Sequence, residues 1–111
     1  MALQATILSG TALSAAVDLG GLALARIGFP AVWTAADVTV LVSQDGITFR
    51  SYYDDLGNEI TIKAAASRAV RLPPLDWDSV RFVQFRSGTG AVPVNQAADR
   101  LIDLIVLNWG N

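Results

Sequence analysis

At 111 residues, with eight Lys plus Arg against ten Asp plus Glu and with no His or Cys, the chain has room for one hydrophobic core and no basic footprint for a phosphate backbone. The missing thiol and imidazole exclude disulfide staples, zinc clusters and every Ser–His or Cys–His nucleophile. Hydrophobic residues reach 52% while charged ones stop at 16%, against about 25% charged in an ordinary domain, so the composition predicts surface that companions cover.

Lys63 is the sole lysine and the other cations are arginines, which pair and stack at buried contacts better than lysine does. The first seventeen residues are uncharged but lack the basic segment of an export signal, and Gln4, Thr6, Ser9 and Thr11 interrupt them. No signal peptide is expected. Asp18, Arg26, Asp37 and Asp45 leave no run long enough to span a bilayer.

Strands are predicted over residues 5–9, 13–19 and 22–29, the last two separated by Gly20-Gly21. Period-two alternation then marks 38–43 and 47–53, with Ser43-Gln44-Asp45-Gly46 between them. Asp-Gly in that setting predicts a tight type I′ hairpin. Leu56-Gly57-Asn58-Glu59 predicts a second turn leading to 60–62, so the three strands should form a meander. The alanine run in 63–67 allows one helical turn. A strand over 67–72 is stopped by Pro73-Pro74, residues 75–79 form a turn, and strands follow at 80–86 and 101–108.

The last strand carries Ile102, Leu104 and Val106 on one face and Leu101, Ile105 and Leu107 on the other. Both faces should be covered, one by the core and one by another sheet or subunit. About eight short strands without an amphipathic helix predict an all-β fold, an antiparallel jelly-roll-like β-sandwich occupying residues 1–111 as one domain.

Residues 30–49, with Trp33, Val38-Thr39-Val40, Ser43-Gln44-Asp45-Gly46 and Phe49, together with the later Val80-Arg81-Phe82-Val83-Gln84-Phe85-Arg86-Ser87-Gly88, resemble galactose-binding-like (discoidin-like) jelly rolls. That family's calcium site and its exposed binding spikes have no matching motif here. With Leu8-Ser9-Gly10, Phe29-Pro30-Ala31-Val32-Trp33-Thr34 and Pro93-Val94-Asn95-Gln96, the chain also resembles small proteins encoded among the structural genes of tailed bacteriophages and prophages. That resemblance implies a virion component.

Carboxylates are the only acid–base candidates. Asp54 and Asp55, clustered with Glu59, precede Gly57-Asn58 and read as turn-shaping groups; as a calcium-holding set Asp54, Asp55, Asn58 and Glu59 miss the regular ligand spacing. Trp77, between Asp76 and Asp78, reads either as an exposed stacking platform or as a core lid, and Trp33 as core. Tyr52 and Tyr53 point to opposite faces, so one must leave the core and join Arg50 and Arg86 in a Tyr/Arg patch or a solvated cross-strand pair. The loop 88–98, with Val92-Pro93-Val94, reads as a segment held extended by docking on something else. Gly20-Gly21 lacks the lysine and helix of a phosphate cradle.

The expectation is therefore a non-enzymatic virion structural protein without cofactor or metal, made in a bacterial host cytoplasm. It acts as a capsid decoration or stabilising subunit that cements neighbours. Its partners are further copies of itself, as a trimer or larger, and the major capsid or other virion proteins. Nucleic acid and membrane are not expected. The candidate interface comprises Arg50, Tyr52, Trp77, Arg86, Val92, Val94, Leu101, Ile105, Leu107 and Trp109. Two alternatives stand beside it: a carbohydrate-binding adsorption module using Trp77, Tyr52 and nearby carboxylates on a glycan, and a tail or connector subunit.

Overall fold

Alternation decides which side of each strand meets the core. In the computed structural model, which describes residues 2–107, strand β9 (Arg100–Leu107) buries Ile102, Leu104 and Val106 and turns Leu101, Asp103 and Leu107 outward. Around it stand β1 (Ala2–Ile7), β3 (Ala23–Gly28) and β7 (Ala69–Arg71), giving a four-stranded antiparallel sheet in the order β1-β9-β3-β7. The opposing sheet holds β2 (Val17–Asp18), β8 (Phe82–Ser87) and β4 (Val38–Ser43), with β5 (Arg50–Ser51) and β6 (Thr61–Ile62) both on the far side of β4.

Between the sheets, Ile7, Leu24, Ile27, Ile102 and Leu104 meet Val38, Val40, Val83 and Phe85 in one continuous core. Each such fully buried large side chain stabilises the fold by about 1.5–3 kcal/mol relative to exposure. The all-β sandwich expected from the sequence is the fold observed. Pairing of Ala5 with Ile102 and Ile7 with Arg100 joins the first strand to the last. One turn of helix, α1 (Pro74–Trp77), follows Pro73 and drops Trp77 into the core.

Several local expectations are corrected. The Ser43–Gly46 segment is not a tight type I′ hairpin, because only Gly46 has positive φ (75°). Instead the Asp45 carboxylate accepts the amides of Ile47 and Thr48 and the Ser43 hydroxyl, which favours a wider loop, and the ladder resumes only at Val42 opposite Arg50. Nor is there a three-strand meander. Val42 and Leu41 pair with Arg50 and Ser51, while Thr39 and Val38 pair with Thr61 and Ile62. Strands β5 and β6 are therefore two halves of one edge, and residues 53–59 leave that edge as an excursion closed by Tyr53 opposite Glu59.

The expected strand over 13–19 shrinks to β2 and a bridge from Leu13 to Arg86. Ser14 fills the gap, its own amide donating to the Phe85 carbonyl while its hydroxyl accepts the Phe85 amide. The alanine run forms no helix; it ends in a turn with Ser67 at φ 58°. Among the described residues no further strand covers the outward side of β9.

Candidate interface surface

The outward side of β9 is apolar at Leu101, Ile105 and Leu107 and polar at Asp103, which accepts a 3.0 Å hydrogen bond from the Gln4 amide. Across β3 the register sets Ile105 opposite Arg26, and across β7 it sets Arg26 opposite Arg71. A β-bulge between Leu24 and Arg26 re-aims β3 at this level. The result is a groove of about 530 Å³ whose lining includes Ile105, Leu107, Pro73 and Pro74 together with the two arginines.

Arg26 and Arg71 are exposed, and neither has an ion pair or side-chain hydrogen bond among the described residues. Two like charges directly opposite one another destabilise an antiparallel pair. An anion laid across them reverses the sign of that term. No sequence signal singled these arginines out, because their pairing exists only once the β3–β7 register is set.

The excursion between β5 and β6 is the other prominent feature. The Asp54 carboxylate accepts the Leu56 and Asn58 amides at 2.9 Å, and the Asn58 amide above all holds the Asp54 carboxyl below its ordinary range. At its foot, Glu59 receives the Arg86 guanidinium at 2.7 Å and the Gly90 amide at 3.1 Å. At its tip, Leu56 is 81% exposed beside an exposed Asp55. The turn role read from the sequence for Asp54 is the one it has.

The residues proposed from sequence scatter. Trp77 offers no contact surface, since it is 0% exposed and takes the core-lid alternative. Tyr52 is the inward tyrosine: its ring meets Trp77 edge-on at 6.0 Å and its hydroxyl donates to the Asp76 carbonyl. Burial, then the Asp76 and Asp78 carboxylates, push the Tyr52 phenol above its ordinary value. Tyr53 is the exposed one of the pair. Arg86 is mostly buried, its Nε donating to Thr39 Oγ1 at 3.0 Å and its Nη2 to Glu59. Arg50 stays exposed on β5 beside Val42 and Thr48.

Arg50, Tyr52, Trp77 and Arg86 thus form no single patch. The loop after β8 is likewise docked on its own fold: Gly88 pairs with Pro93, the Val94 amide donates to the Ser87 carbonyl, and Gln96 is buried. Val92 is left exposed and Val94 half-buried. Leu101, Ile105 and Leu107 share one face, and Trp109 lies outside the described residues.

No group of three or more acidic side chains able to hold a metal ion occurs among the described residues, and no helix there is long and apolar enough to cross a membrane. Compared with protein-family models, with curated proteins and with solved structures, the chain matches none.

Proposed function

We propose that the chain is a non-enzymatic structural subunit of a tailed-phage particle, a capsid decoration or stabilising protein that presents the outer face of the β1-β9-β3-β7 sheet to its neighbours. The observation that carries this reading is the outward row Leu101, Ile105 and Leu107 on the eight-residue strand β9, with Leu101 and Leu107 about half-exposed and Ile105 partly buried between them. Burial of such a row against a second surface removes apolar area from water without reordering the backbone. The phage setting rests on the resemblance carried by Leu8-Ser9-Gly10, Phe29 to Thr34 and Pro93 to Gln96.

The glycan-binding alternative relied on Trp77 and Tyr52, and both are committed to packing within the fold. The sheet face is therefore preferred. A subunit that binds only the assembled shell stabilises it by mass action.

The test is addition of the purified full chain to phage heads lacking it. Saturable binding and a raised head-disruption temperature are expected, and both should be lost in the Leu101→Asp, Leu107→Asp double variant. Absence of binding to heads, or binding unaffected by that variant, refutes the assignment.

A further inference from the structure

We propose that copies of this chain join head to tail, the 54–58 tip of one copy seating Leu56 in the groove of the next while Asp55 lies between Arg26 and Arg71. The inference rests on the structural-subunit reading and names one partner for the same sheet face: a second copy.

Complementarity of charge and shape selects this occupant. The groove combines apolar lining, Ile105 and Leu107 among it, with two arginines that have no ion pair among the described residues. Its partner must therefore offer one apolar side chain next to one free carboxylate. Among the described residues three large apolar side chains are more than four-fifths exposed: Ile47, Leu56 and Leu75. The carboxylate near Ile47 is Asp45, already consumed by the amides of its own loop. Beside Leu75 stands Asp76, which is only partly exposed, and Leu75 itself adjoins Pro73 and Pro74 in the groove wall. Leu56 alone adjoins an exposed carboxylate, Asp55, with no hydrogen bond or ion pair among the described residues.

The tip is also pre-formed. Asp54 closes the turn from inside, Gly57 supplies the positive φ of 86° it needs, and the Arg86–Glu59 pair anchors the foot. Little ordering entropy remains to be lost on docking, which favours association by a small knob. Because knob and groove are different surfaces, the contact is heterologous, and repeated use generates a ring or an open chain.

Sedimentation of the full chain over a concentration series, with heads absent, tests the proposal. The wild type should self-associate, more weakly as salt is raised. Leu56→Asp, or Arg26→Glu with Arg71→Glu, should each weaken association at least about tenfold. All the altered side chains are exposed, so unchanged circular dichroism is expected. Mixing the two variants should yield a heterodimer that grows no further, since each retains the one surface the other has lost.

A wild-type chain that stays monomeric at every concentration overturns the proposal, as does self-association that survives both variants or a mixture that forms no heterodimer. Loss of head binding in the arginine variant of a chain that never self-associates also overturns it, and assigns the groove to a shell protein. Head-to-tail association in a chain that ignores heads supports it while removing the capsid assignment.

Discussion

Glu59 and Arg86 meet at 2.7 Å with side chains only 16% and 12% exposed, and that pair fastens the 53–59 excursion to the middle of the second sheet. The same carboxylate accepts the Gly90 amide, so one acid secures two loops. Glu59→Ala leaves a mostly buried guanidinium with only hydroxyl partners, and a loss of about 2–3 kcal/mol is expected. Urea unfolding measures it. A loss under half a kilocalorie would show that water already carries this interaction.

Gln96, 1% exposed, is the hub of a second buried network. Its Oε1 accepts the Thr34 amide at 2.9 Å and Arg100 Nε at 3.1 Å, and its Nε2 donates to the Thr34 carbonyl and to Ser87 Oγ. Arg100 is buried and has no carboxylate partner among the described residues. Gln96→Leu keeps the volume but leaves the guanidinium with only the Thr34 hydroxyl as side-chain partner and strands the Thr34 amide, so about 2–3 kcal/mol should be lost. Hydrogen exchange at Thr34 should rise in the same variant; unchanged protection would contradict the network's role.

Gly88 combines a φ of 91° with crowding, since a Cβ there would stand 2.4 Å from the Val92 carbonyl oxygen and 2.7 Å from the Val94 nitrogen. Gly57, at φ 86°, has nothing within 4 Å. Gly57→Ala should therefore cost about 1 kcal/mol, from backbone strain alone. For Gly88→Ala the obstruction is backbone, and about 3 kcal/mol or more is expected. Equal midpoints in parallel denaturation curves would contradict the distinction.

Acid should weaken the fold in part through Asp45. The Thr48 and Ile47 amides and the Ser43 hydroxyl pull its carboxyl from 3.8 to about 2. A folded-state value below the unfolded one means that the stabilisation is complete above pH 3.8 and disappears as pH falls toward 2. Asp45→Asn should flatten the stability profile across that window and leave its slope above pH 5 unchanged. Parallel profiles for the two proteins would show that the loop does not retain this geometry in acid.

The all-β class and the longer strands β3, β4, β8 and β9 were legible in the chain because alternation reports one-sided burial directly: Val83 and Phe85 inward, Phe82 and Gln84 less so. The two faces of β9 were legible for the same reason. The candidate interface was less so. Neighbours in sequence suggested a patch of Arg50 and Arg86 with whichever of Tyr52 and Tyr53 faced outward, but Tyr52 turns toward Trp77, Tyr53 is the exposed one, and Arg86 turns toward Glu59, contacts set by which loops meet. Arg26 and Arg71 gave no signal, since they stand far apart along the chain and become opposed only through the β3–β7 register.

By itself the sequence determined that this protein folds as antiparallel strands around one core and that it has few ions with which to clothe its surface. Side-chain period and composition are local properties, and they survive any change of partner strand. Tertiary structure alone decided that β5 and β6 are one interrupted edge, that Trp77 is buried, and that two arginines oppose each other over an apolar groove. Those outcomes depend on pairing between distant segments, where hydrogen-bond register rather than residue preference fixes which side chains become neighbours.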